Sequence, residues 1–194
     1  MSRRAIGLYA ALAATDALLA ETGHDRSRRL TKPLLMPVLM VGRDRPTRRA
    51  LAFGTVGDIS LLGSSTTAFQ VGLGSFLVGH VAWVTALRRR PSGRLRRQPW
   101  LALPYVAAWL SLNAYLWRRT GRDRVPVLVY SAALVATALA ALDTGDPATT
   151  TGGVLFLTSD ALIALHRFAG VRLPLHEAIV MATYATGQAL LART

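Results

Sequence analysis

The chain has 194 residues, 52% of them apolar and 17% charged, and its net charge of +13 is carried by 22 arginines and a single lysine. It is too apolar for an ordinary soluble domain and too short for a transporter with two large halves, and its arginines cluster between apolar runs, which argues against nucleic acid as a partner. The absence of cysteine excludes disulfides, thiolate catalysis and cysteine-based metal sites.

Apolar runs bounded by charged or turn-forming residues fall at 5–20, 31–42, 49–64, 67–87, 100–117, 125–142, 151–166 and 174–191. They predict an all-α integral membrane protein: one polytopic domain over 1–194, a bundle of about eight short transmembrane helices. The first run follows Met1-Ser-Arg-Arg4 and resembles a signal peptide, but Asp16 interrupts it and further apolar runs follow, so a retained first helix is expected. The second, Thr31 to Gly42, is the shortest and carries Lys32 between Thr31 and Pro33. Connectors such as Arg43 to Arg49, Arg88 to Arg97 and Arg118 to Arg124 are basic, as expected of loops meeting anionic headgroups. With eight spans, the ends and even-side loops hold 13 basic residues and the opposite loops nine, excluding Lys32, so the positive-inside rule leans weakly to cytoplasmic termini.

The third and seventh runs carry Gly57-Asp-Ile-Ser-Leu-Leu62 and Ser159-Asp-Ala-Leu-Ile-Ala-Leu165, which suggests two related four-helix halves. A carboxylate inside a span costs about 2.5–3.5 kcal/mol, so Asp58 and Asp160 are the first candidates for function. Counted from the starts of their runs, both lie about 13 Å inside the membrane, and His80 in the fourth run reaches a similar layer. Tyr184 and Gln188, four apart and so on one helix face, fall there too. The same count places Tyr130 and Lys32 nearer the opposite face, where Lys32 can snorkel to water. Bland roles compete with each: packing for Asp58, an Arg167 pair for Asp160, a carbonyl partner for His80 and helix glue for the tyrosines and amide. His166, His176 and Glu177 sit at segment ends without His-x-x-x-His spacing, so no metal is expected.

Taken in order, Thr31-Lys-Pro33, Val56-Gly-Asp58, Phe76 to His80, Val125-Pro-Val-Leu-Val-Tyr130, Gly153 to Asp160 and Thr183-Tyr-Ala-Thr-Gly-Gln188 resemble the YhhN-like membrane family, whose characterised members are lysoplasmalogenases. Two departures stand out: Trp83 occupies a place where the family often has tyrosine, and Tyr184 stands alone where some relatives have an aromatic pair. The resemblance implies hydrolysis of the vinyl ether of a lysophospholipid, releasing a fatty aldehyde and a glycerophospho-ethanolamine or glycerophosphocholine. Protonation of the distal alkene carbon gives an oxocarbenium ion that water captures. Two carboxyls sharing a buried site can hold one proton between them, which suits Asp58 and Asp160 as acid and base.

In this reading His80 orients or relays to a carboxyl, and Lys32, Tyr130, Ser159, Tyr184 and Gln188 contact substrate, with Ser159 bonded to its neighbouring aspartate. Lys32 or a nearby arginine meets the phosphate. No cofactor is required, and no Gly-x-Ser-x-Gly elbow is present. The alanine and arginine content suggests a bacterial source, hence a multi-pass protein of the inner membrane with membrane lipids around it. Two other readings fit buried acids. One is a small proton-coupled transporter or lipid-binding membrane protein; the other is an intramembrane aspartyl protease, whose companion motifs are missing.

Overall fold

Breaks in hydrophobicity and the residues that cap them set the helix ends in the computed structural model, which describes residues 3–193. The described residues form α1 (Arg3–Glu21), α2 (Asp25–Met40), α3 (Arg45–Leu61), α4 (Thr66–Leu87), the single turn α5 (Arg94–Arg97), α6 (Leu103–Leu116), α7 (Arg124–Asp143), α8 (Pro147–Ala169) and α9 (His176–Leu191). Asp44, Ser65 and Asp146 accept backbone hydrogen bonds from Thr47, Ala68 and Thr149 and so start α3, α4 and α8. Gly170, at φ 68°, ends α8 by donating to the His166 carbonyl, a left-handed cap that suits glycine.

Every apolar run contains a long helix, but the limits differ from those read off hydropathy. Helix α2 begins six residues before the expected start and α3 four before, because arginines at a helix end extend into the interface without breaking the helix. Helix α3 also stops at Leu61, which leaves Asp58 within its last turn. The segments 66–87, 121–143 and 147–169 are long and apolar enough to cross a membrane. The remaining long helices have 14 to 19 residues.

Seven helices close into a ring: α1 packs on α2 and α9, α2 on α3, α3 on α4, α4 on α7, α7 on α8, and α8 on α9. Helix α6 lies outside it, against α7 and the edge of α8. Polarity is distributed inside out. Asp16, Asp58, His80, Thr137, Ser159 and Gln188 are buried, whereas Ile6, Leu8, Ile59, Val71, Val81, Leu110 and Val129 face outward. That is the arrangement a lipid solvent selects.

Helix pairs α3–α4 and α8–α9 are built in one register. Asp44 and Asp146 cap α3 and α8 through a threonine three residues on, and Asp58 and Asp160 each follow their cap by fourteen residues. On α4, a side chain at Gly79 would meet the backbone of Ala50 and Gly54; on α9, one at Gly187 would meet the backbone of Gly152 and Phe156, the positions equivalent to Ala50 and Gly54. Phe76 therefore corresponds to Tyr184, and His80 to Gln188. The contacts between the pairs obey the same relation: the His80 ring packs at a tilt against Phe156, centroids 4.8 Å apart, and the Gln188 amide lies against Gly54. The closer crossing, at Gly187, requires glycine, whereas the contact at Gly79 is of ordinary van der Waals length; lipid provides no hydrophobic force to press helices together, so association depends on backbone approach. The relation stops at ring closure, where α9 packs on α1 while a strict two-fold would pair it with α2.

Candidate active site

A cavity of about 90 Å³ lies inside the ring. Its polar wall is Lys32 from α2, Asp58 from α3, Tyr130 from α7, Ser159 and Asp160 from α8, and Tyr184 from α9. Phe69, Phe76 and Met181 supply part of its apolar wall, and exposed Arg167 stands at its edge.

The two aspartates have different partners. Asp58 is fully enclosed; Lys32 Nζ stands 3.5 Å from its Oδ1, and the Tyr184 hydroxyl donates to Oδ2 at 2.8 Å. Asp160 accepts a hydrogen bond from the Tyr130 hydroxyl, with no ammonium or guanidinium within ion-pair distance among the described residues. Behind Tyr130, the Nε2 of His80 lies 3.3 Å from the phenol oxygen and Nδ1 lies 3.0 Å from Thr137 Oγ1. A phenol carries one hydrogen; with that hydrogen on Asp160, His80 Nε2 donates to Tyr130, which leaves Nδ1 free to accept from Thr137, whose hydroxyl also lies 3.0 Å from the Ala133 carbonyl. The result is one chain from Thr137 through His80 and Tyr130 to Asp160. The enclosed wall thus holds two carboxyls and one ammonium, and Arg167 adds a second cation at its exposed edge.

Lys32 owes its position to α1. Buried Asp16 accepts from Thr31 Oγ1 at 2.7 Å and pairs with Arg28 at 3.4 Å, which fixes the rotation of α2 and turns the next residue, Lys32, inward.

Several expectations are corrected. Lys32 and Tyr130 do not lie toward the opposite face. They join Asp58 and Asp160 in one layer, because α2 begins at Asp25 and α3 ends just after Asp58, so the site lies toward the end marked by Leu61, Thr66 and Ala169. Ser159 bonds not to Asp160 but to the Val180 carbonyl at 3.1 Å, tying α8 to α9. Arg167 does not pair with Asp160; its guanidinium lies 3.6 Å over the Phe69 ring. His80 and Gln188 are buried one layer behind the cavity wall, and Gln188 Oε1 has no hydrogen-bond partner among the described residues. His166 and His176 stack at 4.8 Å, and no group of three or more potential metal ligands forms among the described residues. Thr137 is a residue that sequence spacing does not single out, and Arg167 enters there only as a partner for Asp160. The seven-residue step from Tyr130 to Thr137, two turns on one face, was the available signal for the first.

Fold and site define a helical membrane bundle with two carboxyls, Asp58 buried and Asp160 partly so, facing a common cavity. The chain belongs to the YhhN family, whose model matches residues 27–194. It is similar to proteins named lysoplasmalogenase from Mycobacterium bovis and Mycobacterium tuberculosis, each 34% identical over 138 residues, 66% of this chain and 52% of the relative. The chain thus spans about half the length of the curated relatives it matches. No solved structure matches it.

Proposed function

We propose that the protein is a vinyl ether hydrolase that cleaves lysoplasmalogens to a fatty aldehyde and a glycerophospho-ethanolamine or glycerophosphocholine. The observation that carries this reading is the unequal pairing of two equivalent aspartates, one beside an ammonium group and one hydrogen-bonded by a single phenol. Asp58, held by Lys32, is the ionised member, and Asp160 is the acid. The Asp160 proton goes to the distal alkene carbon, and the double-bond electrons form the new C–H bond. The positive charge left on the ether carbon and oxygen is stabilised by the Asp58 carboxylate, which takes a proton from the attacking water. Collapse of the hemiacetal then returns a proton from its hydroxyl to Asp160, while Asp58 passes its proton to the departing glycerol oxygen. Both acids end as they began, and water is the sole co-reactant.

His80 acts through Tyr130, keeping the phenol on Asp160, and is a positioning residue supported by Thr137. Lys32 is committed to Asp58, which leaves Arg167, at the cavity edge, for the phosphate. Eight long helices read as eight crossings of a bacterial inner membrane, with the cavity toward the end that bears fewer arginines. Hydrolysis in D₂O tests the chemistry, with the aldehyde trapped by borohydride as it forms. Protonation at carbon predicts one deuterium at carbon 2 and a slower rate than in H₂O. Aldehyde free of deuterium at that carbon would refute the mechanism.

A further inference from the structure

A second cavity, about 280 Å³ and near the lower end of the range for small-molecule sites, lies between α6, α7 and α8. It shares Val127, Tyr130, Asp160 and Ala164 with the first, so the Tyr130–Asp160 pair forms a partition between the two. The two sides differ in chemistry. The first cavity carries Lys32, Asp58 and Arg167; apart from the partition, the second is walled by residues such as Leu112, Leu116, Leu134 and Leu157. Its few polar side chains engage one another: Trp109 Nε1 donates to Ser131 Oγ at 2.9 Å, and the Asn113 amide donates to the same oxygen at 3.2 Å. They offer little to a polar ligand. Its outer wall is α6, the helix left outside the ring, so the cavity sits on the lipid side of the bundle.

We infer that this second cavity holds the hydrocarbon chain of the lysolipid, so that the bond to be cleaved is presented to Asp160 where the two cavities meet. This rests on the hydrolase reading. A lysoplasmalogen has its reactive bond at the junction of a charged glycerophosphate and an apolar chain, and here the acid stands at the junction of a charged and an apolar space. A chain that leaves the bilayer for this cavity exchanges one apolar surrounding for another, so the slot contributes placement of the vinyl ether more than affinity. Chain length then sets how well the alkene carbon aligns with Asp160, and the effect belongs in kcat/KM ratios between chain lengths.

The test uses the full-length protein in detergent with lysoplasmenyl-ethanolamines of eight- and sixteen-carbon chains. Leu112→Trp shortens the slot and should lower the ratio of long-chain to short-chain kcat/KM at least tenfold. Leu112→Ala should move that ratio the other way, and it keeps the test intact if the larger residue prevents folding. Equal changes at both lengths, or none, would overturn the assignment. Wild-type protein inactive on every vinyl ether would remove the hydrolase reading and leave the cavity to a binding measurement. There, a lysophosphatidylethanolamine with a brominated chain should quench the emission lost in Trp109→Phe, and failure to quench that component would overturn the slot.

Discussion

Lys32 places its ammonium 3.5 Å from a carboxylate oxygen of Asp58, which is itself buried. Removing one partner of such a pair leaves an uncompensated charge and costs about 3–5 kcal/mol, whereas removing both costs less. Lys32→Met should therefore melt well below wild type, and Lys32→Met/Asp58→Asn should recover part of the loss; equal melting temperatures would mean the pair does not form. At the same scale, Thr137→Val removes the donor to His80 Nδ1 and should lower kcat several-fold with little change in KM, because it acts through Tyr130 and not on substrate. A variant with unchanged kcat would take Thr137 out of the chain. Asp58, Asp160, His80 and Tyr130 were legible in the sequence because ionisable groups inside apolar runs carry a cost that demands a reason. Arg167 is legible only as a structural partner for Asp160, since it sits just past a segment boundary drawn at 166, and Thr137 is not legible, since a threonine can bond its own helix and needs no further partner.

At the scale of elements, the glycine crossings make the sharpest prediction. A methyl group at Gly187 would stand 2.9 Å from the Phe156 backbone nitrogen and 3.0 Å from the Gly152 carbonyl, so α9 would have to move away from α8. Gly187→Ala should cost about 1–3 kcal/mol and disturb the Tyr184–Asp58 bond. Gly74→Ala, with nothing within 4 Å, should be neutral or stabilising by up to about 1 kcal/mol. Melting both variants in the same detergent checks the contrast, and similar melting temperatures would contradict the packing. The existence and order of the long helices were readable from hydropathy, but their ends were not. Hydropathy stops at the first arginine, whereas a helix stops at its cap, here Asp44 or Asp146. The early start of α2 and the early end of α3 bring Lys32 and Asp58 into the layer of Tyr130, whereas counting along the apolar runs puts Lys32 and Tyr130 nearer the opposite face. The similarity of the third and seventh runs, short as sequence, gains its meaning from Gly79 and Gly187, which make the same crossing in two helix pairs.

For the whole molecule, the repeat gives two aspartates in equivalent positions, and the departures from it make them unequal. Lys32 on α2 reaches Asp58 and Tyr130 on α7 reaches Asp160, so one fold presents two differently paired carboxyls to one space. The natural chain has no cysteine, so single reporters can be placed freely. Cysteines at Arg90 and at Arg172 should label from opposite sides of the membrane, with Arg172 on the side nearer the cavity; labelling from one side would contradict eight crossings. The central claim is that Asp58 and Asp160 together cleave a vinyl ether, and aldehyde release from a lysoplasmenyl-ethanolamine by purified protein tests it most directly. Wild type should release the aldehyde, and folded Asp58→Asn and Asp160→Asn variants should each lose about 10²–10⁴-fold in kcat. Full activity in either variant, or a wild type inactive on ethanolamine and choline forms alike, would contradict it.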